Sequence, residues 1–488
     1  MDTGIAAMRS RNEGGLMGDQ PETVNNVPAR GGFAPRVALS LAVLAALLLL
    51  GISGALGAPG VQAQGAGATY EGVATCAGST CHGRSEGNGA VVRQDEIATW
   101  QEPSAASGAH SRAYSALASR RGRQIADTLG LGAATSAPAC LGCHATYVPQ
   151  ARRGARFQTS DGVGCESCHG ASQGWLQVHY EKAASHASNV RAGLVPLERP
   201  QVRAKVCLDC HYGSTDTGQF VTHAMMAAGH PRVSFELDLF SSLQQHHDAD
   251  ADYVRRKGGS DSVRLWAVGQ AEAVARATDL FARPAFGMQG MFPQLYFYDC
   301  HACHRQITDG PTRRLTFETN PGRPIPFGNP PFNDENIIML SAVSRSLAPA
   351  AAGGFDDASK AFHSAMGRDR ASAQAAAITL RERAQALSDA LSSRAYGSLD
   401  AFDVIAAITG RTTTPRFTDY AGSVQAVMAV DTLLNALVRE GRVTVGAAAG
   451  IRSNINRAYS AVSAPEAYRP AEFRSALSAA ANAVGSLR

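Results

Sequence analysis

Gly162-Val163-Gly164-Cys165-Glu166-Ser167-Cys168-His169-Gly170 holds two cysteines separated by two residues, with a histidine directly after the second. The pattern recurs. Cys140/Cys143-His144, Cys207/Cys210-His211 and Cys300/Cys303-His304 also read C-x-x-C-H, and Cys76/Cys81-His82 is the same motif with four residues between its cysteines. These five motifs use all ten cysteines of the chain. C-x-x-C-H is the attachment signature of c-type haem. Two thiols add across the porphyrin vinyl groups, and the adjacent imidazole takes an axial place on the iron. Zinc ribbons also use C-x-x-C pairs, and Cys140/Cys143 with Cys165/Cys168 has ribbon-like spacing. An exported protein could instead pair its cysteines in disulfides. Neither alternative needs a histidine after every pair. The expectation is five covalently attached haem c groups, with His82, His144, His169, His211 and His304 as proximal iron ligands. The longer Cys76–Cys81 loop must still bring both sulfurs to one porphyrin edge, and its Gly78-Ser79 stretch supplies the freedom.

The compartment follows from the N-terminus. Arg30 and Arg36 precede an uncharged, Ala/Leu-dominated run from Val37 to Ala58. Its core, Val37 to Leu50, fits the apolar region of a signal peptide, and Val61-Gln62-Ala63 offers a small-residue cleavage site. The rival reading is an uncleaved membrane anchor, which Gly51, Ser53 and Gly54 weaken without removing. Either way the haem-bearing part is expected in the periplasm, in contact with the membrane only if the segment stays uncleaved.

Hydrophobic residues at 45% and charged residues at 18% give enough apolar content for a core. The formal net charge of +4 is too small to suggest nucleic acid as a partner. Lys182, Lys205, Lys257 and Lys360 are the only lysines, so some of the arginines are expected to clamp haem propionates. The expected order is a signal peptide or anchor over 1–63, a pentahaem domain over 64–310, a proline-rich linker over 311–335 and a helical domain over 336–488. The fold class is mainly α: short helices and loops packed around haems, then a bundle of four or five helices. In the bundle, Ile378, Leu380, Ala384, Leu387 and Leu391 share one helical face, as do Val424, Val427, Val430, Leu433, Leu434 and Leu437. Gly441 is placed to stop a helix and Pro470 to start one.

Nine histidines remain for the distal iron positions, so bis-histidine ligation is the default. His179 follows Trp175-Leu176, which would pack a porphyrin face. His223 and His230 flank Ala224 to Gly229, and Pro231 turns His230 out of helical geometry. The expectation is a helix ending near Gly229 with His230 just beyond it. His110, between the first two motifs, is a further candidate. His363, in the helical part, is the candidate to reach back to the fifth haem. His301 and His186 are weaker. His246 and His247 precede Asp248, Asp250 and Asp252; that run could bind a divalent ion, but it reads first as a solvated acidic loop.

Three segments resemble the cytochrome c-554-type multihaem family. They are Gly162 to Gly170 with Trp175, Leu176 and His179; His223 to Arg232 continuing through Ser234-Phe235-Glu236-Leu237; and Cys76 to Gly83 followed by Trp100, His110, Ala113 and Tyr114. The resemblance covers roughly residues 70–305. It implies a mainly helical fold around closely packed haems and periplasmic electron transfer. The family's type member is a four-haem carrier that takes electrons from hydroxylamine oxidation. Five motifs and a long helical extension set this chain apart, so no link to hydroxylamine is implied.

The leading expectation is an electron carrier with no catalytic residues of its own. Its partners would be redox proteins such as a periplasmic oxidoreductase or a membrane quinol oxidoreductase. The alternative is a multihaem oxidoreductase with one open, high-spin haem acting on a small nitrogen or sulfur compound. The Cys300/Cys303 haem, near Tyr296, Tyr298 and Arg305, is the candidate for openness.

Overall fold

The computed structural model describes residues 67–87, 93–232, 234–288, 294–305, 323–325, 329–410 and 419–488. The apolar N-terminal run and most of the proline-rich 311–335 stretch lie outside them. The architecture is mainly α, with no strand among the described residues and two isolated bridges, Tyr70–Arg153 and Tyr298–Phe332.

From residue 67 to about 232 the chain forms short helices and loops. Its apolar cluster is small and centres on Leu117, Ala126, Ala134, Leu141 and Ala145. So little buried hydrocarbon cannot fix these loops, and polar bonds do part of that work. The buried Glu166 carboxylate, inside the third motif, accepts from the backbone N–H of Glu71 at 2.9 Å, Gly72 at 2.8 Å and Ser172 at 2.7 Å. One side chain thus ties the start of the described chain to the loop that leads to His179.

The Ser262–Ala282 helix is the spine of the rest. Asp261 caps it by accepting from Arg264 N at 2.7 Å. Nearly every side of it is buried, against the Arg370–Ser393 helix, the Pro200–His211 helix and the Leu237–Leu243 helix. Gly269 permits the last of these contacts, because a Cβ there would stand 2.5 Å from the Leu237 Cβ.

Seven helices follow among the described residues: Glu335–Leu347, Pro349–Met366, Arg370–Ser393, Asp400–Thr409, Tyr420–Arg439, Val445–Ala461 and Pro470–Gly485. That exceeds the four or five expected, partly because Pro349 begins a new helix directly after Ala348. Pro470 opens its helix, and Gly441, at φ 68°, follows the Tyr420–Arg439 helix as its stop signal. The inward face of Arg370–Ser393 is Ala373, Ala377, Leu380, Ala384, Leu387 and Leu391. Ile378 is exposed, a correction to the face drawn from sequence; it lies one residue, about 100° of helix, past Ala377. Small alanines on that face let the spine helix approach. Val427, Val430, Leu433, Leu434 and Leu437 are fully buried. Tyr420–Arg439 is long and apolar enough to cross a membrane, yet most of it is buried among its neighbours.

One apolar core runs from Ala204 and Leu208, beside the fourth motif, through the spine to Val484. A buried polar string crosses it: Asn336 Nδ2 donates to Gln270 Oε1 at 2.7 Å, Gln270 Nε2 to Gln425 Oε1 at 3.3 Å, and Gln425 Nε2 to Phe235 O at 2.9 Å.

Candidate haem-binding sites

Three of the four short motifs lie on helices: Pro138–His144, Cys165–His169 and Pro200–His211 each end on their histidine. The fifth begins with a 3₁₀ turn at Cys300–Ala302, where Asp299 accepts from Ala302 N at 3.2 Å. The long first motif closes differently. Its helix ends at Cys76, His82 N donates back to Cys76 O at 3.2 Å, and Gly83 N donates to Gly78 O at 3.1 Å. Gly83 lies so close to Ala77 that a Cβ would stand 2.1 Å from its carbonyl oxygen. The two extra residues are absorbed by this fold-back, so His82 still follows its cysteines into the site. None of the ten cysteines is in a disulfide.

Each proximal histidine faces at least one other imidazole. The ring centroids are 6.3 Å apart for His82 and His179, 6.1 Å for His211 and His110, 6.1 Å for His144 and His230, and 6.1 Å for His304 and His223. His169 faces His246 at 6.2 Å and His247 at 6.0 Å. The distance barely changes while the interplanar angle runs from 13° to 89°. Ring-on-ring contact would make spacing depend on orientation. A single atom held between two nitrogens would not. With metal–nitrogen bonds of about 2 Å and centroids about 1.1 Å behind each nitrogen, two axial imidazoles stand about 6.2 Å apart. The residues present therefore fit a haem iron at each motif.

The outer ring nitrogens support this. Nδ1–H of His144 donates to Ala113 O at 2.8 Å, that of His179 to Leu176 O at 2.5 Å, that of His230 to Pro231 O at 2.8 Å and that of His246 to Gln244 O at 2.8 Å. A carbonyl can only accept, so each bond selects the tautomer whose Nε2 carries the lone pair for a metal. Burial pushes His110, His179 and His230 below the ordinary imidazole range, and takes His211 and His246 down to about 4. Burial, with His247 and His246 beside it, takes His169 well below that range. These rings stay neutral, the form that ligates. His82 is the exception: its hydrogen bond to Glu96, 2.9 Å from Nδ1 to Oε2, raises it against burial.

Local backbone explains how the partners arrive. Gly162, at φ 77°, passes so close to His110 that a Cβ would stand 2.6 Å from its carbonyl oxygen, and Val163 N donates to that oxygen at 3.0 Å. The His223–Ala227 helix gives way to Gly229 at φ 111°, and His230 N returns to Met225 O at 2.9 Å. His230 is thus presented just past a helix that ends near Gly229.

Some expectations need correction. His363 does not complete the fifth site; His223 stands opposite His304 instead. His363 is buried in the helical part with Nε2 3.1 Å from Asp334 Oδ2, and Asp334 also holds Arg323 at 2.7 Å. His246 and His247 are not a solvated acidic loop. Their ligand atoms lie within 4.8 Å of that of His169 and of each other. The neighbouring acids are used elsewhere: Asp250 caps the Ala251–Lys257 helix, Asp252 pairs with Arg255 and Arg256, and Asp248 faces Arg93. Sequence held one signal for the pair, the surplus of histidines over sites. Tyr296, near the fifth motif, is buried and donates to Tyr212 O at 3.2 Å, so it is packing and not a polar pocket. His301 Nδ1 donates to Pro465 O at 2.7 Å, and His186 pairs with Glu198 at 2.9 Å.

The motifs also adjoin one another. Cys76 lies beside Cys165, Cys143 Sγ stands 4.0 Å from Cys210 O, Cys210 Sγ stands 3.7 Å from Gly142 O, and Cys207 lies within electrostatic reach of Cys168. The fourth and fifth motifs meet through the T-shaped pair Tyr212–Tyr296. Arg232 lies against the Tyr296 ring, 3.7 Å from Cys300 Sγ and 3.2 Å from Glu335. Cys81 and Cys303 are exposed, whereas the other eight cysteines are partly covered.

The family model described as cytochrome c554 and c-prime matches residues 75–170, which contain the first three motifs. No curated protein and no solved structure matches the chain. Over residues 75–170 the chain is thus similar to the cytochrome c554 and c-prime family, and this match with the attachment motifs supports a c-type cytochrome that carries electrons on covalently bound haem.

Proposed function

We propose that the chain is a periplasmic pentahaem cytochrome that passes electrons between redox partners through bis-histidine haems. One observation carries the reading: all five proximal histidines face another histidine at 6.0–6.3 Å. Haem iron, when bound, supplies one-electron redox chemistry at potentials set by ligands, burial and hydrogen bonds. The chain's own residues saturate both axial positions, and backbone hydrogen bonds fix several of the ligating rings. The pairings are His82 with His179, His211 with His110, His144 with His230, His304 with His223, and His169 with one of His246 and His247.

The contacts between motifs support a connected order. The first adjoins the third, the third the fourth, and the fourth both the second and the fifth. Exposure of Cys81 and Cys303 makes the first and fifth sites the natural points of exchange with partners, which would be a periplasmic oxidoreductase or a membrane quinol oxidoreductase. Electron paramagnetic resonance of the ferric protein, with haem quantified in the same sample, tests the reading. Five haems with only low-spin signals are expected. A high-spin signal of about one haem per chain would overturn saturation and return the open-iron oxidoreductase. Four haems would show that the long Cys76–Cys81 motif is not used.

A further inference from the structure

The third site has one distal position and two histidines to fill it. His246 and His247 stand at nearly the same distance from His169, so ring spacing alone does not choose between them. Their outer nitrogens do. His246 Nδ1–H makes a 2.8 Å bond to Gln244 O, the same kind of backbone bond that orients His144, His179 and His230. His247 Nδ1 instead faces a carboxylate, Glu96 Oε1, at 3.6 Å, too long for a hydrogen bond. Its side chain is 40% exposed, so it has room to turn.

Glu96 itself is buried, on the short Glu96–Trp100 helix. Its other oxygen, Oε2, takes the His82 Nδ1–H at 2.9 Å. One carboxylate therefore stands between the proximal ligand of the first haem and the surplus histidine of the third.

We propose that Glu96 is a positioning residue shared by two haem sites. Through Oε2 it orients His82 and makes that imidazole a stronger electron donor, which lowers the first haem's potential. Its Oε1, 3.6 Å from His247 Nδ1, leaves that ring without the hydrogen bond that fixes the other ligands, and His246 takes the third iron. A carboxylate behind a metal-bound histidine raises the basicity of the ligand, and removing such a partner typically changes metal affinity or activity by about 10–100-fold. The inference rests on the bis-histidine reading.

The test uses the full haem-loaded protein. His179→Met, which puts a thioether opposite His82, marks the first haem in a spectroelectrochemical titration by raising its potential. Glu96→Gln should move that same wave upward by about tenfold in its one-electron equilibrium, about 59 mV. Glu96→Asp, which keeps the charge, should restore part of the shift. In paramagnetic resonance, His247→Ala should stay low-spin throughout, and His246→Ala should turn one haem high-spin. A first-haem wave unmoved in Glu96→Gln overturns the proposal. So does a high-spin signal in His247→Ala, and so does a His246→Ala variant that stays fully low-spin. A high-spin signal in the unmodified protein would instead fail the bis-histidine reading itself, so the two failures are distinguishable.

Discussion

Removing the Glu166 carboxylate should detach the start of the described chain from the third motif. Glu166 is buried, and its two oxygens serve three backbone donors: Oε1 accepts from Glu71 N and Ser172 N, and Oε2 from Gly72 N. A hydrogen bond to a charged group contributes about 1.5–3 kcal/mol, and an orphaned buried N–H costs about 1–3 kcal/mol. The three bonds share one side chain and do not add fully, so Glu166→Ala should lose about 3–6 kcal/mol. Glu166→Gln discriminates further. With its amide oxygen in the Oε1 position it keeps two bonds and turns an NH₂ toward Gly72 N, so it should lose only about 1.5–3 kcal/mol. Urea unfolding of the haem-loaded protein, followed by far-ultraviolet circular dichroism, measures both. An alanine variant within about 0.5 kcal/mol of the unmodified protein would refute the reasoning, because that is the range of an inconsequential surface change. So would a glutamine variant as damaging as alanine.

His223→Ala should convert one haem to high-spin without loss of haem content; an unchanged resonance spectrum would show that His223 is not the partner of His304. His363→Leu should leave every low-spin signal in place and lower unfolding stability by about 1–3 kcal/mol, since Asp334 loses one partner but keeps Arg323. Glu236 is buried, and burial followed by the Asp238 charge pushes its carboxyl from 4.5 up to about 8, against bonds from Leu239 N and Asp238 N. Between these values the folded protein keeps a proton that the unfolded chain has released, so stability should fall as pH rises through that window. Glu236→Gln should flatten the fall, and unfolding measured at several pH values across the window checks it.

The attachment motifs were legible because their chemistry is local: two thiols and an imidazole must be neighbours in sequence to meet one porphyrin. The helices were legible where period and caps agree, as at Pro470 and Gly441. His179, His223 and His230 stood out because aromatic, glycine or proline neighbours shape the backbone around them. His246 and His247 did not, because the aspartates beside them read as solvent-facing. Nothing in the alanine-rich helix around His363 reveals in sequence that Asp334 and Arg323 share its pocket. Glu96 and Glu166 carried no signal at all. A carboxylate means nothing in sequence until folding brings donors to it from tens of residues away. By position the Ser262–Ala282 helix falls within the haem segment, but its burial on nearly every side makes it the spine of the C-terminal core.

The string from Phe235 to Gln425 joins residues 190 apart in sequence. A chain that emerges N-terminus first cannot close this link until its last third has arrived. Until then Leu208, two residues before Cys210, lacks the neighbours that bury it, and the fourth motif stays open. The same holds for the fifth, since the Asp299 carboxylate beside Cys300 is anchored by Ala421 N at 3.1 Å. The long separation would thus act as a timer: it would leave these cysteines reachable for thioether formation until the C-terminal helices dock. A chain ending near residue 335 would lack that clock, and would expose the spine helix to self-association instead.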